Sequence, residues 1–300
     1  MKKKTYLFAL MAMALTLGSC SDNENGIGGE TSKYITVSTS IGNMTRVATD
    51  ANGGQTFEEG DEISVYAWTG DATVAPETRE RVVNNAINKL TNGSWVSTPQ
   101  MLWKNNRDKH YFIGVYPTAA ISDFTAGEYK LDVAKQEDSD LLVAVNKDGI
   151  SYNADEQQTV PLTFTHVMAK LAVNLTYKNQ WGGIPTVEKV VVGNAAKEAT
   201  INYLTKVVTP STTAKEDFSL PEITENTKYV SVIIPQEDVT QLTIVIGGKN
   251  FVYDNGTPFK LESGKITTVN LEVGRDEIKL GDVKITNWED GSTFSGEALN

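Results

Sequence analysis

Short runs in which apolar and polar residues alternate recur along most of the chain, and this period of two constrains the fold more than any other feature. They fall at 34–41, 63–68, 111–116, 129–133 and 141–145, then at 171–177, 187–192, 200–204, 229–234, 242–246, 251–253, 267–273 and 283–288. Gly, Asn, Asp and Pro bound them. Asn92-Gly93, Asp148-Gly149, Gly247-Gly248 and Asn255-Gly256 lie between runs, where a hairpin needs residues that accept positive φ. Many short strands with frequent turn signals predict an all-β chain built from sandwiches.

Residues 77–90 admit two readings. Val83, Ala86, Ile87 and Leu90 share one face of a helix, whereas 87–90 can instead pair with 94–97 across Asn92-Gly93. The polar, acidic stretch Tyr152-Asn153-Ala154-Asp155-Glu156-Gln157-Gln158 predicts a boundary between an N-terminal sandwich, 34–158, and a C-terminal one, 159–300. About seven strands then fall in each half, a common size for such folds.

Before the first run the chain reads differently. Lys2, Lys3 and Lys4 precede an uncharged run over 6–17 and then Leu17-Gly18-Ser19-Cys20, the layout of a cleavable export signal over 1–19 that is too short to span a bilayer. Small residues before a lone cysteine resemble the lipobox of bacterial lipoproteins, in which the chain is cut between Ser19 and Cys20 and Cys20 receives lipid. Residues 20–33 are acidic and Gly-rich with almost nothing apolar to bury, and read as a flexible tether. About 280 residues remain after the signal, enough for one large or two ordinary domains. With the only cysteine in the leader, disulfides contribute nothing to the fold.

Loss of the leader's three lysines takes the formal charge from -11 to -14, with no basic run to follow a phosphate backbone, so nucleic acid is not a partner. The two histidines, His110 and His166, sit in apolar or β-type runs without a second histidine at metal spacing, and read as structural. Neither a Gly-x-Ser-x-Gly elbow, nor a spaced Asp-x-Asp-x-Asp-Gly loop, nor a phosphate-cradling glycine loop is present. The carboxylate clusters Glu58-Glu59-Gly60-Asp61-Glu62 and Glu137-Asp138-Ser139-Asp140 read as solvated loops. The residues make no case for an enzyme, a metal or a cofactor. Of the five tryptophans, Trp68, Trp95, Trp103, Trp181 and Trp288, most read as core; Trp181, in Gln180-Trp181-Gly182-Gly183, reads as exposed and available to a sugar ring.

Several segments in order resemble the Mfa-like fimbrillins of Bacteroidales. They are Phe57-Glu58-Glu59-Gly60-Asp61-Glu62-Ile63-Ser64-Val65-Tyr66, the run 111–117, and Val160-Pro161-Leu162-Thr163-Phe164-Thr165-His166-Val167-Met168-Ala169-Lys170-Leu171. Lys260-Leu261-Glu262-Ser263-Gly264-Lys265 and Ile285-Thr286-Asn287-Trp288-Glu289-Asp290-Gly291 complete the set. The resemblance implies two tandem transthyretin-like β-sandwich domains and a pilus (fimbrium) subunit that reaches the outer membrane as a lipoprotein. It further implies that an arginine-specific protease cuts in the loop after the first strand, where Thr45-Arg46-Val47 stands, so that lipid and first strand leave together. Taken alone, Arg46 is an ordinary loop arginine.

A sandwich that loses a strand exposes core and a row of unpaired backbone groups until another strand fills the gap. A strand donated by the next subunit does so, and head-to-tail repetition gives a filament. The donor implied is 277–294, with Val283, Ile285 and Trp288 as its inserting residues. Partners are then other fimbrial subunits, the protease, the outer membrane through lipid before cleavage, and a host or bacterial surface ligand. The rival is a surface lipoprotein that keeps its lipid, as a pilus anchor or as a glycan binder using aromatics such as Trp181.

Overall fold

The computed structural model describes residues 33–42, 56–135, 139–156, 158–254 and 256–288. Within them the regular secondary structure is almost entirely strand, as the alternation predicts. The first half supplies β1 (Thr36–Ile41), β2 (Glu62–Thr69), β3 (Val83–Thr91), β4 (Ser94–Thr98), β5 (Lys109–Tyr116), β6 (Gly127–Lys130), β7 (Leu142–Ser151) and β8 (Thr159–His166). The second half continues with β9 (Ala169–Tyr177), β10 (Val187–Ala196), β11 (Glu198–Asn202), β12 (Val207–Pro210), β13 (Lys215–Leu220) and β14 (Glu222–Thr224). It ends with β15 (Lys228–Ile233), β16 (Gln241–Ile246), β17 (Lys249–Asp254), β18 (Lys265–Val273) and β19 (Ile278–Asn287). Single 3₁₀ turns lie at Thr78–Glu80 and Asn179–Trp181.

The first seven-stranded sheet runs β1-β8-β7-β5-β2-β3-β4 and curls until its two edges approach. Trp95 Nε1 in β4 donates to Thr39 Oγ1 in β1 at 3.0 Å, and the Ile35 amide donates to the Met101 carbonyl at 2.9 Å. Ile63, Val65, Phe112, Val160, Leu162 and Phe164 fill the inside of the curl. Gly114 in β5 leaves room for Phe164, whose ring lies 2.7 Å from where a Cβ would stand. The other face of the sheet is apolar too: Tyr66, Trp68, Ile113 and Val115 join a larger core shared with the second half. That accounts for the near-continuous burial of β2, a central strand covered on both sides.

In the second half a four-stranded sheet, β13-β10-β16-β17, and a five-stranded sheet, β14-β15-β9-β18-β19, bury Val173, Val192, Val232, Ile244, Val269 and Leu271. A three-stranded sheet, β12-β11-β6, joins the halves, with Ala199 opposite Tyr129.

One open reading is settled and two local expectations change. Residues 77–90 hold no α-helix: β3 and β4 form the hairpin, with Asn92 at φ 52° and Gly93 at φ 72°. The helix-like spacing of Val83 and Ala86 comes from a bulge between them, where Asn85 takes φ 56° and brings both residues to one face three positions apart. Asp148-Gly149 lies inside β7 at a second bulge, with Gly149 at φ 69° beneath the Tyr111 ring, whereas Gly247-Gly248 does join paired strands, Ile246 opposite Lys249. Thr159–His166, which the sequence assigns to the second half, runs in the first sheet between β1 and β7. Its Val160, Leu162 and Phe164 alternate into the first core.

Candidate functional site

Two edge strands and one buried cluster carry the features that a packed sheet does not need. β1 closes one edge of the first sheet and pairs in parallel with β8, from Thr36 opposite Thr159 to Ile41 opposite Phe164. Ile35, Val37 and Ile41 point inward, exposed by only 2, 6 and 7%. Thr36, Ser38 and Ser40 face outward. Beyond the bond from Trp95, the opposite flank of β1 borders a groove lined by Ile41, Phe57, Leu90 and Trp95.

β19 has the opposite character. It pairs with β18 alone and closes the edge of the five-stranded sheet. Leu280, Val283 and Ile285 stand opposite Leu271, Val269 and Thr267, so they share the apolar face of β18, yet 36, 39 and 40% of their surface stays in solvent. A bulge at Gly281 and Asp282 keeps Leu280 and Val283 on one face although three residues separate them.

The buried cluster lies where β19 ends. The Trp288 ring stacks on His166, with centroids 4.1 Å apart and planes 6° apart, and Lys170 Nζ lies 4.2 Å from its centroid. His166 Nδ1 is 3.0 Å from the Asp140 carboxylate. Burial pushes the Lys170 ammonium down to about 8, with Asp140 pulling it up and Lys228 reinforcing the fall.

A folded value below the ordinary 10.5 means that the unfolded chain binds more protons between about pH 8 and 10.5, so this group adds stability as pH rises through that window. Below it the penalty is complete, about 3 kcal/mol at 1.36 kcal/mol per unit, offset by a cation–π contact of about 1–2 kcal/mol. Lys170→Met is therefore expected to be more stable than wild type by about 1–2 kcal/mol at pH 7. Urea titrations at stepped pH should show the advantage shrinking from pH 8 to 10.5 and giving way to the lost packing contact.

The other candidates have structural employment. His110 is fully buried: its Nε2 accepts from the Lys104 amide at 3.0 Å while Nδ1 lies 3.1 Å from the Asp108 carbonyl, an arrangement that fits the neutral ring. Burial lowers its pKa in the same sense, against the opposing Asp108 carbonyl. Trp181 is not the exposed platform the sequence suggests. It is half-buried, its Nε1 donates to the Val273 carbonyl at 3.0 Å, and Phe251 meets it edge-on. In the first acidic cluster Glu59 accepts from the amides of Asn92 and Gly93, and Glu62 pairs with Lys89. Among the described residues no group of three or more His, Cys, Asp or Glu can hold a metal ion, and no helix is long and apolar enough to cross a membrane. Ser19, Cys20, Arg46 and Val47 lie outside the described residues.

The chain matches the family described as fimbrillin-like over residues 45–288, most of its length. It belongs to the fimbrillin-like family. The match begins after β1, takes in β2 through β19, and ends on Trp288. One relative, named "Putative fimbrium subunit Fim1C", from Bacteroides uniformis, is 24% identical over 97% of each chain. A crystallised "putative cell adhesion protein" from the same species shares the fold at TM-score 0.62 and 20% identity, covering 81% of this chain and all of that one. A fimbrial protein from Bacteroides vulgatus aligns at TM-score 0.51 and 12% identity, over 75% of this fimbrillin-like chain and 92% of its own.

Among the residues the sequence put forward, β19 carries Val283 and Ile285 as a partly exposed apolar row, and Trp288, just past its end, is a buried plug. Sequence reasoning did not single out Lys170. A lysine inside the apolar run Val167-Met168-Ala169-Lys170-Leu171-Ala172-Val173 was the available signal.

Proposed function

We propose that this fimbrillin-like chain is a structural subunit of a cell-surface fimbrium, in the stalk or at the tip, that is exported as a lipoprotein on Cys20 and polymerised by strand donation. Cleavage after Arg46 by an arginine-specific protease frees β1 with the lipid, and β19 of another subunit takes its place beside β8. The partners are other fimbrial subunits, and the outer membrane before the cut.

The observation that carries the reading is the pairing of unequal edges in one chain. β1 is an edge strand whose apolar face is wholly buried, while β19 is an edge strand whose apolar face is left partly in water. In β1 and the residue before it, Ile35, Val37 and Ile41 recur at even spacing with Thr39 between, and in β19 Val283 and Ile285 offer the same alternation, backed by Leu280 across the bulge. Exchange of one for the other lets the donor bury what it now exposes and restores the ladder along β8. The half-buried Trp181 lends nothing to a glycan platform.

The test is the N-terminal residue of the mature surface form, read by mass spectrometry from a Bacteroidales host, beside an Arg46→Ala variant. A wild type that starts at Val47 and forms detergent-resistant ladders, with the variant remaining a lipidated monomer, is the expected result. Lipidated Cys20 at the start of both, with no ladders, would overturn cleavage and polymerisation and leave an anchor subunit that keeps its lipid.

A further inference from the structure

We infer that the stack of Trp288 on His166 and Lys170 is a latch that holds β19 on its own sheet in the unassembled subunit. The inference rests on the reading of β19 as the donor only for its purpose; the latch itself stands on geometry. Every residue of β19 after Ile278 is exposed, and the strand has a partner on one side alone. Besides the ladder with β18, the strand is held, among the described residues, only by partial cover of Leu280, Val283 and Ile285 and by exposed polar contacts, Asn270 to Asp282 and Lys265 to Asn287. Trp288, one residue past its end, is exposed by only 6%.

The body of the protein is shaped to receive that ring. His166, at the end of β8, supplies a parallel aromatic face held by Asp140, and Lys170, one residue into β9, supplies the cation. The backbone is pinned as well: the Trp288 amide donates to the Gly264 carbonyl at 2.9 Å. Gly264 sits at φ 67°, with the His166 carbonyl 3.1 Å from where a Cβ would stand, so the turn packs directly on the residue that carries the stack. Among the described residues, neither Trp288 Nε1 nor His166 Nε2 has a hydrogen-bond partner. The side chain is thus held by ring contact and burial rather than by directional bonds. Such a contact is strong while the ring is seated and lets go as one unit once it leaves.

A latch of this kind fits a strand that has to stay home and later leave. Without it, an edge strand with an apolar row in water would fray and pair with any open edge it met. With it, the strand is secured at the end where the chain continues toward its C-terminus, and release of one side chain frees the strand from that end inward.

Hydrogen exchange followed by mass spectrometry on the uncut, full-length monomer tests this. Trp288→Ala, which alters the strand side, and His166→Ala, which alters the body side, should each speed exchange of amides 278–287 about tenfold, equivalent to about 1.4 kcal/mol. β10 and β16 should keep their protection. The double variant should add little to either single one, as expected of partners in one contact. Trp288→Phe, which keeps an aromatic face, should fall between wild type and Trp288→Ala. Unchanged exchange of 278–287 in both alanine variants would overturn the latch. If Trp288→Ala loses protection throughout, Trp288→Phe and His166→Ala decide, and a failure of either to speed 278–287 selectively overturns it too. A separate arm addresses the donor reading: after cleavage, His166→Ala, which leaves the donor segment intact, should polymerise faster than wild type. Faster exchange with no change in polymerisation would keep the latch and overturn β19 as the donor.

Discussion

Val283→Asp with Ile285→Asp is expected to abolish polymerisation while leaving a folded monomer. The same side chains meet two different environments in the single chain and in the filament. In the single chain both residues lie on an edge strand with 39 and 40% of their surface in solvent, so a carboxylate at either position can turn to water. The loss there is the partial burial of two aliphatic groups, about 1–2 kcal/mol in total, within the ordinary range for substitutions and below the stability of a typical domain. In the acceptor the same positions replace inward residues of β1, where Ile35, Val37 and Ile41 are almost wholly buried against Val160, Leu162 and Phe164. An unpaired carboxylate in that setting costs several kcal/mol, and two in one strand close the route. Melting of the purified monomer and gel analysis of ladders separate the two effects. If the variant melts near wild type and still forms ladders, these residues do not enter a neighbour's core. Lys279→Ala with Lys284→Ala, exposed residues of the same strand, serve as the matched control and should leave ladders intact.

How far such a prediction could be framed without coordinates differs from element to element. The alternation at 34–41 and 283–288 located both edge strands, because a strand with one apolar face writes its period directly into the sequence. What alternation does not carry is which strand lies beside which. β8 reads as the start of a new unit because a polar loop precedes it, yet its contacts with β1 and β7 are set by side chains more than a hundred and about twenty residues away, respectively. Bulges defeat the pattern in another way. At Asn85 one extra residue moves the phase from two to three, which imitates a helix, and only the pairing with β2 reveals it.

The Trp288 cluster was legible in part. His166 is recognisable as embedded in a strand, but its partner just past β19 lies over a hundred residues away, and nothing in Asn287-Trp288 distinguishes a plug from a solvent-facing ring. Lys170 was the stronger clue. A lysine in an uninterrupted apolar run must reach water, pair with a charge or shift its pKa, and here Asp140, the Trp288 ring and burial act on it together. The misreading of Trp181 has the same origin: two glycines after it suggest an open loop, but the 3₁₀ turn at Asn179–Trp181 folds the indole back onto Val273.

Loss of β1 without a replacement is expected to destabilise the first sheet severely, and a peptide spanning 277–300 is expected to restore it. Three side chains decide the size of the effect. Ile35, Val37 and Ile41 each contribute about 1.5–3 kcal/mol by burial, so their removal costs on the order of 5–9 kcal/mol before any backbone bond is counted. That is comparable to the whole stability of an ordinary domain. The backbone term adds to it, because β8 would lose its partner from Thr36 to Ile41 and Phe164 would lose the residue opposite it. A chain beginning at Val47 should therefore be aggregation-prone or partly unfolded in isolation, with Phe57, Trp95 and Phe164, which meet edge-to-face around the groove, open to solvent. Addition of the 277–300 peptide in trans should raise its melting temperature in a concentration-dependent manner, by mass action. A peptide carrying Val283→Asp and Ile285→Asp should not. If the chain from Val47 is as stable as the uncut chain and indifferent to the peptide, β1 is not the strand that is exchanged. If it is unstable and rescued instead by a peptide of 33–46 alone, the gap exists but β19 does not fill it.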